Sequence, residues 1–342
     1  MRTNQQLILK TRPPARVSLE HFELRQQPLE PLRDGQVLIE THYLSIDPTN
    51  RVWMSDRPQY MPPVAIGDVM RGFGIGQVIE SRHPDYAPGD WVSGLLGWQQ
   101  YALWESGSLR PLQKLPRHLD VHPTAFLGTL GVTGGLTAYF GMLAIGQPKP
   151  GDTVLVSAAA GSVGSLAGQL AKRAGARVIG IAGSAHKCQY VTEELGFDGC
   201  INYSQDDVGA ALDRLCPDGI SVLFENVGGD QLEAALSRLK VHARVVLCGL
   251  ISSYNDSQPR GPRNFDMLLH KRATLTGFIV SDFASRFPEA LAELAPLVRS
   301  GSLKYRQHIV LGLTQAPAAV NMLFDGTNHG KLLLQVADSA DS

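Results

Sequence analysis

A run of apolar residues passes directly into a glycine-containing turn at 153–164, which reads Thr-Val-Leu-Val-Ser-Ala-Ala-Ala-Gly-Ser-Val-Gly. The run predicts a buried strand, and the apolar residues after the turn recur at helical spacing. Gly161 would let the backbone approach a pyrophosphate, and Gly164 would let the new helix pack closely on the strand. The free N–H groups at such a helix start favour anions. The sequence therefore predicts a dinucleotide-binding turn with cofactor contacts from Ala160, Gly161, Val163 and Gly164.

The end of the next predicted strand, 177–182, decides between NAD and NADP. NAD enzymes usually place Asp or Glu there to bind the ribose 2′-hydroxyl, whereas this chain continues Gly-Ser-Ala-His-Lys with no acid. Gly183 leaves room for a phosphate, Ser184 can donate a hydrogen bond, and Lys187 offers a point charge. The alternative is that Ser184 only caps a helix and Lys187 is only a solvated helix lysine. The missing carboxylate favours NADPH.

The sequence pattern differs between the first ~120 residues and the rest of the chain. Short β-type runs broken by Pro and Gly fill the first ~120 residues and predict an irregular β-rich domain. Strand-like and helical stretches then alternate, which predicts an α/β domain with a doubly wound parallel Rossmann sheet. The stretch 307–336 is β-like again and is expected to rejoin the first domain. The predicted domains are 1–122 with 308–342, which is discontinuous, and 123–307. The predicted strands are 153–157, 177–182, 199–202, 220–225, 243–248 and 274–280, and the predicted helices are 163–174, 185–195, 206–215, 229–239 and 284–299.

Composition and charge exclude several classes of function. The 342 residues carry a net charge of −1 and 18% charged residues, so the chain has no basic surface for nucleic acid or an anionic membrane. The N-terminus lacks the apolar core of a signal peptide, and no run of about 18 apolar residues occurs. We therefore expect a cytoplasmic protein with no membrane anchor. The four cysteines form no C-x-x-C pair and are interpreted as isolated thiols in a reducing compartment; they are Cys188, Cys200, Cys216 and Cys248.

Motifs along nearly the whole chain resemble the zinc-independent medium-chain dehydrogenase/reductases, in the branch of prostaglandin reductases (leukotriene B4 12-hydroxydehydrogenases), plant double-bond reductases and bacterial curcumin reductases. The strongest matching stretches are 44–48, 67–72, 134–141, 158–164, 183–187, 195–198, 202–203, 225–229, 248–255, 277–280 and 326–331. The resemblance implies a GroES-like β-rich catalytic domain beside the Rossmann domain. It also implies a homodimer that pairs edge to edge across the predicted strand Thr274–Val280.

The same resemblance assigns further NADPH contacts. Lys187 and Tyr203 would hold the adenosine 2′-phosphate. Asn226 and the backbone of Cys248, Gly249 and Leu250 would line the nicotinamide ribose, with Asn328 reaching the cofactor from the C-terminal segment. The alternatives are a half-exposed strand-end tyrosine at 203 and a turn-forming Asn at 226.

Zinc-bearing relatives in the wider superfamily carry an early cysteine, a Gly-His-Glu motif and a four-cysteine lobe. Here Gly67-Asp68-Val69 stands at the Gly-His-Glu position, and no cysteine precedes Cys188. His118 and His122 are four residues apart but have no third ligand nearby in the sequence. We expect no metal site.

Conjugate reduction of an activated C=C bond needs a hydride donor and a group that stabilises the developing enolate oxygen. Tyr254, on the loop after the fifth Rossmann strand, is the predicted donor; a loop tyrosine that only packs is the alternative. The family's early loop commonly reads Asp-Pro-Tyr-Met-Arg, and its tyrosine faces the substrate. This chain reads Asp-Pro-Thr-Asn-Arg at 47–51, so that aromatic residue is lost. The predicted substrate pocket comprises Thr49, Asn50, Tyr254 and Phe278.

The function predicted from these residues is NADPH-dependent reduction of α,β-unsaturated ketones or aldehydes. Two alternatives stay open. One is a zinc-free NADPH quinone reductase, and the other is a catalytically idle NADPH-binding sensor or structural protein.

Overall fold

The computed structural model describes residues 2–108 and 112–336. The chain forms two compact units. Among the described residues, the first holds 2–108, 112–127, 307–328 and 332–336, and the second holds 128–306 and 329–331. The sequence placed these boundaries at 122–123 and 307–308, and it did not separate the short segment 329–331.

The strands of the described chain are β1 (Thr3–Leu9), β2 (Phe22–Pro28), β3 (Gln36–Ser45), β4 (Gly74–Ser81), β5 (Trp91–Gly94), β6 (Tyr101–Glu105), β7 (Gln113–Lys114), β8 (Thr153–Val156), β9 (Arg177–Ala182), β10 (Gly199–Asn202), β11 (Ile220–Glu225), β12 (Leu239–Leu247), β13 (Thr274–Gly277), β14 (Gln307–Leu311) and β15 (Lys331–Gln335). The α-helices are α1 (Pro48–Trp53), α2 (Gly135–Tyr139), α3 (Ser162–Arg173), α4 (Ala185–Gln189), α5 (Val208–Leu215), α6 (Gly229–Leu236), α7 (Met267–Lys271), α8 (Phe287–Arg299) and α9 (Ala316–Asp325). Two π-helical segments, Phe140–Gly146 and Tyr190–Glu194, continue α2 and α4.

The first unit is built on a seven-stranded sheet. The strands follow the order β14-β15-β3-β4-β5-β7, and β6 also pairs with β3. The separate β1–β2 ladder contributes Leu7, Leu9 and Phe22 to a core that includes Trp53 and Trp98. The predicted β-rich domain is thus present.

The second unit holds a six-stranded parallel sheet in the order β10-β9-β8-β11-β12-β13. The chain starts at the middle strand β8, moves outward to β10, then crosses back to β11. This is the doubly wound order, and its switch point lies between β8 and β11. The predicted fold class, a doubly wound parallel sheet with a separate β-rich domain, is confirmed.

Several predicted element bounds need correction. The segment 47–51 is not a loop, because Asp47 and Pro48 start helix α1 there. The stretch 307–336 is not wholly β, because it contains helix α9. This helix buries the side chains of Ala316, Ala319 and Val320.

Further bounds in the second unit also differ from the prediction. Helix α5 begins at Val208 rather than 206, because the Asp207 side chain caps it by accepting the Ala210 N–H at 2.7 Å. Strand β12 begins at Leu239 rather than 243. Strand β13 ends at Gly277 instead of 280, and a 3₁₀ segment (Val280–Arg286) precedes α8, so that helix begins at Phe287 rather than 284.

Strand β13 lies at the edge of the parallel sheet. The apolar residues Phe278 and Ile279 lie outside this strand. The predicted homodimer through this edge stays a prediction. No helix in the part of the chain that the structure describes is long and apolar enough to cross a membrane.

Helix α3 lies so close to Phe197 that a methyl group does not fit between them. A Cβ built on Gly168 would lie 1.8 Å from Phe197 Cζ, and Phe197 is only 4% exposed. Alanine is the better helix former by about 1 kcal/mol, yet we expect Gly168→Ala to lower the free energy of unfolding by about 1–3 kcal/mol because it overpacks the core.

Denaturant unfolding measures this effect. Gly261→Ala is the control, because a Cβ there meets nothing within 4 Å. The double variant Gly168→Ala/Phe197→Leu should recover part of the loss. Unchanged or raised stability of Gly168→Ala would contradict the packing argument.

Candidate cofactor and active site

The turn between β8 and α3 is shaped by close backbone contacts. Gly161 precedes α3 as its N-cap residue, and no side chain caps the helix. A Cβ built on Gly164 would lie 2.4 Å from the Ala158 carbonyl oxygen, so only glycine fits. The Ser162 Oγ is buried and has no hydrogen-bond partner among the described residues. Because no side chain caps α3, its first N–H groups can bind an anion.

The residues after β9 meet the residue after β10. The Ser184 Oγ accepts the Lys187 N–H at 3.3 Å and caps α4, so the capping role of Ser184 is observed. A Cβ on Gly183 would lie 2.7 Å from the Tyr203 hydroxyl oxygen. Tyr203 is 46% exposed. The structure thus brings together the residues predicted to select a 2′-phosphate. Burial lowers the pKa of Lys187.

Lys187 also lines a small crevice. The other ionisable side chains of this crevice were not predicted as site residues; they are His186, Tyr190, Arg306 and His329. The Arg306 guanidinium lies over the Tyr190 ring, 4.3 Å from its centroid. The rings of His186 and His329 are 5.5 Å apart. Burial raises the pKa of Tyr190 to about 12, and its hydroxyl has no partner among the described residues. The crevice is lined by Ala160, His186, Lys187, Tyr190, Arg306, His329 and Gly330. Because these residues come from distant parts of the chain, no local sequence pattern indicates the crevice.

A buried carboxylate organises the carboxyl ends of β8, β11 and β12. Glu225 ends β11 and is 1% exposed. Its Oε1 accepts the N–H groups of Val227 and Gly228, both at 2.6 Å, and the Ser157 hydroxyl at 3.0 Å. Burial raises the pKa of Glu225 to about 7, against the opposing effect of these hydrogen bonds. No role was predicted for Glu225 from the sequence, although this residue lies at the switch point where such sheets bind ligands.

The predicted ribose contacts depend on the same junction. The Asn226 N–H donates to the Ser157 Oγ at 2.8 Å, and its Nδ2 donates to the Ser157 carbonyl at 2.7 Å. The Glu225 carbonyl accepts the N–H groups of Cys248 at 2.9 Å and Gly249 at 3.1 Å. Burial and the neighbouring Glu225 raise the pKa of Cys248 to about 12, which keeps this thiol neutral. Asn226 is therefore more than a turn former, since it joins two strand ends.

Tyr254 follows the 3₁₀ turn Ile251–Ser253 and folds back over the chain before it. Its hydroxyl oxygen accepts the Leu250 N–H at 3.1 Å and lies 3.3 Å from a Cβ built on Gly249. The predicted donor thus lies directly beside predicted cofactor contacts. Phe278 lies against Gly141, where a Cβ would be 2.8 Å from its Cζ, and packs edge-on to Phe283 at 6.3 Å.

Thr49, Asn50 and Asn328 belong to the first unit. Asn50 is 1% exposed; its Oδ1 accepts the Asp47 N–H at 2.8 Å, and its Nδ2 donates to the Arg71 carbonyl at 3.3 Å. Asn328 is 8% exposed. The roles predicted for these three residues stay predictions.

An aromatic hydroxyl does lie beside Thr49, although the family's tyrosine is lost from that position. The Thr49 Oγ1 is hydrogen-bonded to the Tyr60 hydroxyl, which also accepts the Trp53 Nε1–H at 3.1 Å. Tyr60 is 46% exposed. Tyr60 follows Thr49 by 11 residues. No regular helix or strand spacing predicts a contact at this separation.

The described residues contain no group of three or more His, Cys, Asp or Glu side chains that could hold a metal ion. Of the two histidines weighed as a pair, His122 is engaged elsewhere. Its Nδ1 is hydrogen-bonded to the Thr124 Oγ1 at 2.8 Å, and its ring lies edge-on to Tyr43 at 6.3 Å.

The doubly wound sheet, the glycine turn before α3 and the ordered loops at the switch point define a dinucleotide-binding protein of the Rossmann class. Comparisons with known proteins place it further. Residues 5–112 match the family model described as N-terminal domain of oxidoreductase, and residues 162–296 match the model described as zinc-binding dehydrogenase.

Three relatives agree over almost the whole chain. The chain is 43% identical over 340 residues to the NADPH-dependent curcumin reductase of Escherichia coli (strain K12), covering 98% of this chain and 97% of that protein. It is 37% identical over 342 residues to the NADP(+)-dependent 2-alkenal reductase of Nicotiana tabacum, covering 98% of both. The crystal structure of CurA from Vibrio vulnificus in complex with NADPH matches with a TM-score of 0.91 and 41% identity, over 98% of this chain and 99% of that one.

The chain belongs to the medium-chain dehydrogenase/reductase family, in the zinc-independent branch that includes curcumin, 2-alkenal and prostaglandin reductases. These matches confirm the predicted family and the predicted enzyme class, which is an NADP-dependent oxidoreductase. They also confirm the predicted cofactor, NADPH.

The raised pKa of Glu225 makes folding dependent on pH. The folded chain holds the Glu225 proton up to about pH 7, whereas an ordinary glutamate releases it near 4.5. The stabilisation is therefore fully present below pH 4.5 and is lost as pH rises through about 7. It amounts to roughly 1.4 kcal/mol for each pH unit between those limits.

Glu225→Gln keeps an acceptor oxygen for the surrounding N–H groups but cannot titrate. We expect it to flatten the fall in the free energy of unfolding between pH 5 and 7, measured by denaturant unfolding across this range. Glu80→Gln, at an exposed position, should leave the fall unchanged. An identical slope in the wild type and Glu225→Gln would show that another group causes it.

Proposed function

We propose that this chain uses NADPH to reduce the C=C bond of α,β-unsaturated ketones and aldehydes. The observation that carries the proposal is the placement of the Tyr254 hydroxyl beside Gly249 and Leu250, just after the carboxyl end of β12. The tobacco relative is named for 2-alkenals, in which a C=C bond is conjugated with an aldehyde. A neutral hydroxyl suits that chemistry, because the charge to be stabilised develops on the carbonyl oxygen.

The residues present fit NADPH. Helix α3 starts without a side-chain cap, which suits a diphosphate. Lys187 is a half-buried cation, and a bound phosphate replaces the solvation that burial removes. The residues that would hold the cofactor are Ala160, Gly161, Val163 and Gly164 at the diphosphate, Gly183, Ser184, Lys187 and Tyr203 at the 2′-phosphate, and Asn226, Cys248, Gly249 and Leu250 at the nicotinamide ribose.

Bound NADPH supplies the hydride that adds to the β-carbon of the substrate. Tyr254 donates a hydrogen bond to the carbonyl oxygen as it gains negative charge. The Leu250 N–H supports this role, since a hydroxyl that accepts a hydrogen bond becomes a better donor. Solvent then protonates the α-carbon. Thr49, Asn50 and Phe278 are proposed to shape the pocket.

A substrate panel separates this reaction from the alternatives. The enzyme and NADPH are mixed in turn with a 2-alkenal, a cyclic enone and a quinone, and the loss of NADPH absorbance is followed. Turnover of the first two with saturated carbonyl products supports the proposal. Turnover of the quinone alone indicates a quinone reductase, and NADPH binding without any turnover indicates an idle binding protein.

Substitution of Lys187 tests the preference for NADPH over NADH. We expect Lys187→Ala to weaken NADPH roughly 10- to 150-fold, the value of a charged hydrogen bond, and to leave NADH nearly unchanged. Because the pKa of Lys187 is lowered, NADPH affinity should also fall at alkaline pH as the ammonium loses its proton. Lys187→Arg stays charged and should remove that fall.

Fluorescence titration with each cofactor measures both effects. Lys149→Ala, which removes an exposed lysine of the same unit, is the control for net charge. Equal weakening of NADPH and NADH by Lys187→Ala would refute the 2′-phosphate assignment.

Tyr254→Phe tests the proposed donor. We expect kcat to fall by about 10²–10³, the usual cost of removing one such donor. NADPH affinity should change by at most about tenfold, since only the neutral hydrogen bond from Leu250 is lost there. Ser253→Ala is the matched control, because the Ser253 Oγ donates to the Leu250 carbonyl at 2.9 Å and so braces the same turn.

Steady-state kinetics on the best enone, with NADPH titrations beside them, separate catalysis from binding. Full kcat in Tyr254→Phe would make the tyrosine only a wall of the pocket. An equal loss in Ser253→Ala would mean that the turn, and not the hydroxyl, is responsible.

A further inference from the structure

Residues 329–331 belong to the second unit, although the chain before and after them belongs to the first. Gly330 forms an isolated parallel bridge with Gly161, the residue that precedes helix α3. The Lys331 N–H donates to the Arg306 carbonyl at 2.9 Å. Backbone contacts thus fix this three-residue segment beside the glycine turn.

Only glycine fits at the middle of this segment. Gly330 has a φ of 71°, and a Cβ built on it would lie 2.3 Å from the Arg306 carbonyl oxygen. A larger residue would be strained at this φ and would push the segment away from Arg306. The segment therefore follows a defined path, and this path brings His329 to the wall of the crevice that Lys187 also lines.

The side chains of His186 and His329 meet at this crevice. Their rings are 5.5 Å apart and lie edge to face, with an interplanar angle of 81°. His186 comes from helix α4 and directly precedes Lys187. The ring contact therefore places His329 next to the residues that are predicted to select a 2′-phosphate, although it comes from a distant part of the chain.

Arg306 adds a second positive charge to the crevice. Its guanidinium lies over the Tyr190 ring, 4.3 Å from the centroid, and its Nη2 forms an ion pair with Glu194. A guanidinium carries five N–H donors, and the Arg306 side chain stays 36% exposed. The ring and the carboxylate thus hold the guanidinium at the crevice wall and leave donors for a ligand.

The ionisable side chains that line the crevice are hydrogen-bond donors. Lysine and arginine only donate, and an imidazole offers an N–H in either tautomer. Burial raises the pKa of Tyr190 to about 12, so its phenol keeps its proton. Tyr190 is 5% exposed, and its hydroxyl has no partner among the described residues. Donors and positive charge together suit a ligand group that is anionic and rich in acceptors, such as a phosphate monoester.

We propose that His329 and Arg306 bind the 2′-phosphate of NADPH together with Lys187, and that they determine the specificity for NADPH over NADH. The proposal rests on the cofactor site proposed above and adds two residues to it. Helix α4 and the C-terminal part of the chain then hold the same phosphate.

The 2′-phosphate fits this crevice better than the diphosphate does. The diphosphate is common to NADPH and NADH, and the uncapped N–H groups at the start of α3 suit it. The 2′-phosphate is a monoester with up to two negative charges, and a guanidinium can bind two of its oxygens at once. Because Lys187 lines the crevice, the three positively charged or N–H-bearing groups can share one phosphate.

Cofactor titrations of matched variants test the proposal. His329→Phe keeps a ring against His186 but loses the N–H, and Arg306→Met loses the charge but keeps an apolar chain over Tyr190. We expect each variant to bind NADPH roughly tenfold or more weakly, the value of a hydrogen bond to a charged group. The affinity for NADH should stay nearly unchanged. Arg306→Lys, which keeps the charge, should recover part of the loss.

Two cofactor fragments locate the contact. One is 2′,5′-ADP, which carries the 2′-phosphate of NADPH, and the other is 5′-AMP, which lacks it. Calorimetric titration should show that His329→Phe and Arg306→Met weaken 2′,5′-ADP and leave 5′-AMP unchanged. His270→Phe is the matched control, because His270 lies in α7 and faces Asp266. This control should bind each ligand as the wild type does.

The two cofactors also show which idea fails. Unchanged affinity for NADPH and 2′,5′-ADP in both variants overturns the proposal, and a loss in one variant alone overturns the role of the other residue. Equal weakening of NADPH and NADH overturns the proposal too, because the residues would then act on the diphosphate or on the fold. Selective loss of NADPH in Lys187→Ala alone keeps the cofactor site and rejects the roles of His329 and Arg306. A wild type that binds NADPH no better than NADH rejects the 2′-phosphate site itself.

Discussion

The buried carboxylate of Glu225 is the interaction on which the rest of the site depends. One oxygen accepts two backbone N–H groups and a hydroxyl, and the carbonyl of the same residue accepts two more N–H groups from the chain after β12. Three strand ends therefore converge on one residue. Without this acceptor each buried donor would cost about 1–3 kcal/mol, and the loops bearing Asn226 and Gly249 would lose their common anchor.

The two halves of the proposed cofactor site depend on different kinds of interaction. The nicotinamide side is built from neutral groups held by backbone hydrogen bonds, with a thiol kept protonated at Cys248. The phosphate side has the cationic side chain of Lys187 in the short helix α4, where burial lowers its pKa. A partly desolvated cation destabilises the empty protein slightly and favours an anionic ligand. Backbone hydrogen bonds thus fix the geometry of the proposed nicotinamide side. Charge sets the affinity of the proposed phosphate side for an anion.

The sequence by itself determined the β8–turn–α3 unit, the missing acid after β9 and the alternation of strands and helices, because glycine sterics, periodicity and charge at a strand end act over a few residues. Helices α1 and α9 escaped prediction, since a short helix started by Asp-Pro and one rich in Ala carry weak periodicity. Only the tertiary structure decided that Glu225 collects donors from three strand ends, and that Arg306 and His329 line the same crevice as Lys187. Those contacts join residues that are distant in sequence, and their register is set by how the sheet and its helices pack rather than by any local pattern.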